Sequence, residues 1–298
     1  MPGKQVTELD ALPSFTDASL LPVHNGAGLK KGTLSQLTDY IAERFSNPNL
    51  LLNSNFEVDQ RGRGTYTNNT TKPTYTLDRW MSINTEVVYN VDGTAIITSL
   101  ATTDTSAWFK QILEHAINDT CTLSCNITAV TGNAYLYNQT KGKKIVKGLN
   151  TVTLSSLKEA SIELKQGASI TIEWIKLEKG SKATAYVAPN YANELQKCMM
   201  YYNVVNTPLN GYFTTQMYLG CEVLANMRTK PTIKCVGSFW VYYYNGNVKY
   251  KFSDIRTIEV SKYSEITLLS APLGVAIQNM TAIFDEGSYI ELDAEVYA

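Results

Sequence analysis

The residues best suited to binding chemistry form an aromatic hairpin near the end of the sequence. Two alternating runs, 239–244 and 247–252, are joined by Asn245-Gly246, and this dipeptide strongly favours a two-residue type I′ turn. Pairing outward from that turn places 242 opposite 249, 240 opposite 251 and 239 opposite 252. One face of the hairpin is then apolar. The other face combines aromatic residues with lysines: Trp240, Tyr242, Tyr244, Lys249 and Lys251.

That mixed face has the composition of a sugar-binding surface. Sugar rings present apolar C–H groups that stack on Trp or Tyr, while lysine and amide groups supply hydrogen bonds. The same side chains also suit a packed contact with another sheet or a sister subunit, because aromatic residues are enriched in such interfaces. The sequence therefore leaves two interpretations open for these five residues, a glycan or receptor site and a structural interface.

The cysteines do not have the spacing of a metal or redox site. Cys121 and Cys125 fall in a predicted strand, where four residues span about 13 Å, which is too far for a disulfide. We expect all five cysteines to be structural, as small buried side chains. The sequence contains no zinc-type set of cysteines and histidines, and we predict neither a metal nor a cofactor.

Catalytic patterns are also missing from the sequence. The two histidines are His24 and His115, and neither accompanies the Gly-x-Ser-x-Gly elbow of a hydrolase. Glycosidase carboxylates face each other across a cleft, whereas the acidic pairs here are close neighbours in the sequence. We therefore predict that the chain is not an enzyme. Arg61-Gly-Arg-Gly64 is interpreted as a flexible loop, because two isolated arginines are a weak nucleic-acid signal.

Composition and charge limit the partners. Charged residues make up 18% of the 298 residues, below the usual share of about 25%. The chain is instead rich in polar uncharged residues, with 33 Thr, 23 Asn and 19 Tyr. A net charge of −1 argues against nucleic acid or an anionic membrane as partner. Since neither a run of 18 apolar residues nor a secretory leader occurs, we expect synthesis in a reducing cytoplasm and no membrane insertion.

The first 46 residues predict a short docking segment. An apolar run from Leu20 to Val23 predicts a strand, followed by a turn and a loop. Thr33-Leu-Ser-Gln36 fits a capping box that starts a helix of about three turns. A segment this short cannot bury a core of its own, so we expect it to dock on another surface. The candidate docking residues are Leu20, Leu21, Val23, Leu34, Leu37, Tyr40 and Ile41.

The rest of the chain predicts a mainly β protein. Residues 47–189 have the pattern of a jelly-roll β-sandwich, residues 190–207 that of a short helical connector, and residues 208–298 that of a C-terminal antiparallel β-domain. The clearest strands are 121–129, 150–154, 161–164 and 169–177. In the last of these, alternation places Ile170, Ile172 and Trp174 on one face and Ile175 and Leu177 on the other.

Several motifs resemble a known family. Asn49-Leu-Leu-Leu-Asn-Ser-Asn-Phe56-Glu-Val-Asp-Gln-Arg-Gly62 and Tyr75-Thr-Leu-Asp-Arg-Trp80 are similar to the opening of jelly-roll modules found in bacteriophage tail fibres, which are related to carbohydrate-binding modules. Ile172-Glu-Trp-Ile-Lys-Leu-Glu178 resembles the last strand of that module. Segments 9–37 and 191–202 are similar to other segments of phage tail proteins. Trp80 and Trp174 lie in apolar strand patterns, so we expect them in the core.

The resemblance implies a virion protein, either a tail fibre or a receptor-binding subunit. In this interpretation the chain forms an elongated homotrimer, residues 1–46 attach to other virion proteins, and the C-terminal domain meets a glycan on the host surface. Three copies would strengthen weak sugar contacts by avidity. The main alternative is a purely structural collar, head-fibre or baseplate protein. A cellular carbohydrate-binding adhesin and a glycan depolymerase are less favoured.

Overall fold

Strands predominate in the protein, which confirms the mainly β fold class. The chain divides into two compact units, residues 1–48 with 182–187, and residues 49–181 with 188–298. The domain boundaries drawn from the sequence stay predictions. The structure is a computed structural model, and it describes residues 20–24, 29–90, 92–102, 105–213, 217–222, 227–243, 249–252, 257–260, 265–270 and 277–296, most of them with their side chains.

The first unit contains a hairpin and a helix. Strand β1 (Leu20–His24) pairs with β2 (Leu29–Thr33), and helix α1 (Leu34–Arg44) follows directly. The capping box is confirmed, because the Gln36 N–H donates to Thr33 Oγ1 at 3.1 Å and the Thr33 N–H donates to Gln36 Oε1 at 2.8 Å. The prediction of a loop before the helix is wrong. Residues 29–33 form β2 because the chain reverses and continues an antiparallel ladder with β1.

The larger unit is built on one antiparallel sheet, which we call the core sheet. Within the described residues it has ten strands in the order β10-β9-β11-β8-β12-β7-β6-β3, with β4 paired to β5 and β5 paired to β8. The strands are β3 (Thr65–Asn68), β4 (Thr74–Tyr75), β5 (Met81–Ile83), β6 (Thr85–Tyr89), β7 (Ala95–Ser99), β8 (Ala107–Thr131), β9 (Ala134–Leu136), β10 (Lys143–Lys144), β11 (Gly148–Leu164) and β12 (Ser169–Lys179).

The strands predicted at 121–129, 150–154, 161–164 and 169–177 are confirmed within β8, β11 and β12. β8 and β11 are longer than the alternating sequence indicates, because their pairing continues through an interruption. Ile112 pairs with Glu159, and the next pair is Ile117 with Leu157. Residues 113–116 therefore bulge out of the ladder, and a bulge of this kind bends the strand locally.

A second bulge corrects the face assignment in β12. Ile172 pairs with Ile127, but Trp174 pairs with the next residue of β8, Asn126, so Glu173 is the extra residue. An extra residue inverts the alternation beyond it. Ile175 and Leu177 consequently join Ile170 and Ile172 in one apolar core. Trp174 is half-buried and does not belong to that buried core.

Three aromatic rings form the centre of the core. Trp80 stacks on Phe109 with ring centroids 4.8 Å apart, and Phe56 contacts both rings at 5.6 and 5.9 Å. All three side chains are fully buried, which confirms the core position expected of Trp80. Trp80 Nε1 also donates to the Asn53 carbonyl at 2.9 Å. The loop after residue 49 is thereby held on the sheet.

In its described residues, the C-terminal third of the chain adds one helix and two further antiparallel sheets. Helix α2 (Tyr191–Met199) is capped at its N-terminus by Asn190, whose side chain accepts a hydrogen bond from the Asn193 N–H. In the described part, the connector sheet has the order β13-β22-β16 and the hairpin sheet has the order β18-β17-β21-β14-β15-β20-β19. Their strands are β13 (Tyr202–Val205), β14 (Leu209–Phe213), β15 (Met217–Glu222), β16 (Thr232–Val236), β17 (Phe239–Tyr243), β18 (Lys249–Phe252), β19 (Thr257–Val260), β20 (Glu265–Ser270), β21 (Ile277–Phe284) and β22 (Tyr289–Asp293).

Replacing Trp80 by alanine should lower the free energy of unfolding by about 3–5 kcal/mol, because a large buried ring is lost and a cavity remains. Trp174→Ala is the matched control, and its loss should be less than half as large because that ring is half-buried. Urea unfolding of the two variants measures the difference. Equal losses would contradict the placement of these two tryptophans.

Candidate functional site

The aromatic hairpin has the register expected from the sequence. Phe239 pairs with Phe252, Trp240 with Lys251, and position 242 with position 249. On its other side β17 pairs with β21, so Trp240 lies between Lys251 and Ile283. The predicted strand pairing is therefore confirmed. Tyr244 and the Asn-Gly turn lie outside the described residues.

The ladders align the candidate positions in rows across the hairpin sheet. One row contains Lys251, Trp240 and Ile283. The adjacent row crosses every strand of the sheet as the structure describes it, in the order Lys249, Tyr242, Thr281, Asn210, Gly220, Thr267 and Glu259. Four of the five predicted site residues thus occupy adjacent positions in two neighbouring rows.

The two faces of the hairpin sheet differ in burial where the structure describes their side chains. On one face Phe239 and Leu209 are fully buried, and the Phe239 ring meets Phe284 at 6.0 Å between centroids. On the face that carries Trp240, Asn210 is exposed and Ile283 is 45% exposed. We call this second surface the outer face. Trp240 itself is half-buried within it.

Part of the outer face is ordered by a polar contact. The Thr281 hydroxyl donates to Asn210 Oδ1 at 2.9 Å, across the pairing of β21 with β14. These residues continue the row of Tyr242 and Lys249. The side chains of Tyr242, Lys249 and Lys251 lie outside those that the structure describes, and their strand positions alone place them on this face.

The docking candidates of the first unit are partly exposed. Leu20, Leu37 and Tyr40 are exposed, whereas Leu34 is half-buried. Within this unit Lys182 Nζ donates to Asp39 Oδ1 at 2.7 Å and to Thr38 Oγ1 at 2.9 Å, which ties residues 182–187 to α1. The other candidates, whose side chains lie outside the described ones, are Leu21, Val23 and Ile41.

Sequence reasoning missed a buried polar cluster between the loops of the core sheet and the connector sheet. Its members come from segments far apart in the sequence, and each contacts another member through charge, a hydrogen bond or a ring face. We call this set the arginine cluster. It consists of Gln60, Arg61, Asp78, Arg79, Tyr201, Tyr202 and Glu295.

Glu295 is the centre of the arginine cluster. Its carboxylate is buried and accepts from the Arg79 backbone N–H at 3.0 Å and from Arg79 Nη1 at 2.6 Å. Arg79 Nη2 donates to the Ile112 carbonyl at 2.9 Å. Arg79 has φ of 70°, a left-handed conformation that costs a residue other than glycine about 1–2 kcal/mol. The two bonds from one carboxylate hold that conformation.

Two consecutive tyrosines cover the arginines. The Arg79 guanidinium lies 3.8 Å from the centre of the Tyr201 ring, and that of Arg61 lies 3.7 Å from the centre of the Tyr202 ring, within the range of cation–π attraction. Arg61 Nη2 is 3.7 Å from Glu295 Oε1, too long for a hydrogen bond. The Arg61 side chain is 7% exposed. Residues 61–64 lie outside helices and strands, as expected of a loop, but the ring face and the nearby carboxylate bury the Arg61 side chain.

Asp78 is the remaining member of the cluster, and its carboxyl group has a raised pKa. Gln60 donates to it twice, from its backbone N–H at 2.7 Å and from Nε2 at 2.6 Å, and Gln60 Nε2 also reaches the Tyr202 carbonyl at 2.7 Å. Burial raises the pKa of Asp78 to about 6, although the nearby Arg61 charge opposes the shift. The cluster is thus a charged structural contact in which Arg61 Nη1, Arg61 Nη2 and Arg79 Nε are buried without a hydrogen-bond partner among the described residues.

The Tyr75–Trp80 motif that supports the tail-fibre resemblance contains two members of the cluster. Asp78 and Arg79 stand between Leu77 and Trp80, and all four residues are buried. The sequence signal for a buried charged cluster is the pair Asp78-Arg79, which stands directly between two apolar residues. Its partner Glu295, 216 residues later, could not be found from local spacing.

Cysteines and histidines are the other residue types with reactive side chains. Cys121 and Cys125 are free and buried, as expected, and burial raises the pKa of Cys125 to about 12. His115 is exposed on β8. Within the ranges that the structure describes, no three His, Cys, Asp or Glu side chains form a metal-binding group.

Neither helix of the described part of the chain is long and apolar enough to cross a membrane.

Comparison with known proteins finds distant likenesses in structure. No protein-family model and no curated protein match the chain. Among solved structures, the CBM22-1–CBM22-2 tandem domain of Paenibacillus barcinonensis Xyn10C covers 83% of this chain and 98% of its own length, at 11% identity and a TM-score of 0.24. A Paenibacillus sp. cycloisomaltooligosaccharide glucanotransferase covers 78% of this chain and 47% of its own, at 12% identity and a TM-score of 0.19. Scores this low do not establish a common fold, and the tail-fibre resemblance stays a prediction.

Removing the charge of Glu295 should destabilise the second unit. Glu295→Gln leaves Arg79 and Arg61 buried without their carboxylate, and breaking a buried ion pair costs about 3–5 kcal/mol. Asp119→Asn is the control, because the Asp119–Lys179 pair is two-thirds exposed on both sides and its loss should leave the urea midpoint unchanged. A Glu295→Gln variant that unfolds at the wild-type urea concentration would contradict the central place of this carboxylate.

The raised pKa of Asp78 makes stability depend on pH. A carboxyl whose pKa is higher in the folded than in the unfolded state stabilises most below pH 4, and that contribution is lost as the pH rises through about 6. Between pH 4.5 and 7.5 the wild type should lose about 2 kcal/mol relative to Asp78→Asn, which cannot titrate. Urea unfolding of both proteins across this range measures it. A constant difference between them would show that Asp78 keeps an ordinary pKa.

Proposed function

We propose that this protein is a non-enzymatic attachment protein that binds glycans on a cell surface through the outer face. The observation that carries the proposal is the pair of neighbouring rows in which Trp240 and Tyr242 stand beside Lys251 and Lys249. Aromatic positions suit the C–H faces of sugars, and lysines with nearby amide and hydroxyl groups suit their oxygen atoms.

The geometry of the hairpin sheet favours a firm binding platform. β17 is paired on both sides, with β18 and with β21, so the positions of Trp240 and Tyr242 are fixed by two ladders. The opposite face is anchored by Phe239 and Leu209, which are fully buried. A binding surface on paired strands loses less conformational freedom on binding than one on a loop.

We place this attachment function in a bacteriophage virion, as a tail fibre or receptor-binding subunit made in the host cytoplasm. The support is the sequence resemblance of the jelly-roll motifs, together with a first unit whose helix carries exposed apolar residues at Leu37 and Tyr40. In this proposal those residues meet other virion proteins, and a homotrimer presents three outer faces. Avidity then converts weak sugar contacts into stable attachment.

A purely structural role is the second candidate, and Ile283 favours it. This residue is next to Trp240 in its row and is 45% exposed. An aliphatic side chain beside a tryptophan suits burial against another protein. In that case the protein is a collar, head-fibre or baseplate component, and its outer face packs on a neighbour.

The double variant Trp240→Ala, Tyr242→Ala separates the two functions. If the face binds glycans, the full-length folded variant should bind about tenfold or more weakly to a microarray of cell-surface glycans, since each central aromatic contact contributes about 1 kcal/mol or more. Ile283→Ala is the control on the same face and should leave glycan binding nearly unchanged. Undiminished binding by the double variant would reject the outer face as the glycan site. Loss of self-association in Ile283→Ala would favour the structural role.

A further inference from the structure

We infer that the ligand of the outer face is an acidic polysaccharide, one whose sugar rings carry carboxylates. This inference rests on the proposed function and narrows it. The observation behind it is the register of β18 against β17, which sets a lysine directly opposite each of the two aromatic positions.

The two aromatic–lysine pairs repeat along the strands. Trp240 is opposite Lys251 and Tyr242 is opposite Lys249. Paired strands are about 5 Å apart, and residues two apart on one strand are separated by about 7 Å. A sugar ring stacked at an aromatic position therefore has a lysine position at its edge, where the carboxylate of a uronic acid is attached. The second pair offers the same arrangement to another acidic group.

The charge around these pairs is positive along the row. Beyond Tyr242 the row continues through the uncharged residues Thr281 and Asn210, and it meets an acid only at Glu259 on β19. Six strand spacings separate Glu259 from Lys249, about 29 Å. Exposed charges at that separation are screened at physiological ionic strength, where the Debye length is about 8 Å. Glu259 therefore does not neutralise the lysines.

Four other acidic residues of the described chain are closer to the two lysine positions than Glu259 is. Glu222 and Glu265 pair with each other on the outer face, four and five strand spacings from β18, or about 19 and 24 Å. Asp285, which accepts a hydrogen bond from the Ser238 hydroxyl, and Glu286 follow the end of β21. None of these acids is on β17 or β18, so the edge that carries the two lysine positions stays locally positive. A neutral glycan offers these lysines only hydroxyl oxygens, whereas an acidic glycan also offers them a counter-charge.

Pairs of glycans that differ only in charge provide the test. Polygalacturonate, alginate and hyaluronan are each compared with their carboxyl-reduced counterparts for binding to the full-length protein. We expect at least one acidic polymer to bind about tenfold more tightly than its neutral form in 20 mM salt, and this preference should shrink at 300 mM salt because dissolved ions screen the attraction between charges. Equal binding of the acidic and neutral forms, or no binding to any acidic polymer, would overturn the inference.

Charge variants test whether the two lysines cause the preference for acidic polymers. Lys249→Gln, Lys251→Gln should weaken binding of the acidic polymer about four- to twentyfold, as expected for the loss of two ion pairs, and should weaken binding of the neutral form much less, because a neutral sugar offers these lysines only hydroxyl oxygens. Lys249→Arg, Lys251→Arg should retain the preference. Lys143→Gln, Lys144→Gln removes the same charge from exposed positions of the core sheet and should have no effect. An equal loss in this control would mean that net charge, and not the outer face, attracts the polymer.

The outcomes separate the two proposals. If Trp240→Ala, Tyr242→Ala abolishes glycan binding while the glutamine variants keep wild-type affinity for acidic polymers, the outer face binds glycans but the charge inference is wrong. If neither set of variants changes binding, both proposals are wrong. Tighter binding of a phosphate-bearing polymer than of every carboxylated one would also overturn the choice of an acidic sugar.

Discussion

One buried carboxylate, that of Glu295, has to compensate two arginines at the contact between the core sheet and the connector sheet. It hydrogen-bonds both the backbone and the guanidinium of Arg79, and it lies 3.7 Å from Arg61. Charges buried without such a partner cost several kcal/mol each. The aromatic faces of Tyr201 and Tyr202 shield the same guanidinium groups from water. The connector sheet therefore joins the core sheet in one compact unit through charge as well as through apolar contact.

The contact at the arginine cluster also supports the hairpin sheet. β13 and β22 pair in the connector sheet, and β14 begins four residues after β13 ends. The outer face is consequently carried by strands whose neighbours are fixed at the arginine cluster. A surface supported in this way can keep Trp240 and the positions beside it in register without a stabilising ligand.

Local rules explain most of what could be predicted from the sequence. The Asn-Gly turn and strict alternation determine the pairing of 239–242 with 249–252, and the Thr33–Gln36 capping box determines where α1 begins, because both depend on residues close together in the chain. The mainly β fold class follows from the same short-range patterns. The burial of Trp80 also follows from its apolar neighbours.

The predictions that were wrong or incomplete concern interactions that local spacing does not encode. The bulge at Glu173 moves Ile175 and Leu177 into the core, and alternation alone cannot show an extra residue. Arg61 looks like a loop residue in sequence, and its burial depends on Tyr202 and Glu295, which are more than 140 positions away.

The separation of Arg79 from Glu295 by 216 residues also constrains the order of assembly of the chain. At a synthesis rate of about 5–20 residues per second, roughly 10 to 40 s pass between the appearance of Arg79 and that of Glu295 on the ribosome. During this interval the two arginines beside the core sheet lack their counter-charge, so the packing of the arginine cluster waits until Glu295 has been made. Contacts this distant in sequence are slow to form. The arginine cluster is therefore completed late relative to the core sheet, whose strands all precede Glu295 in the chain.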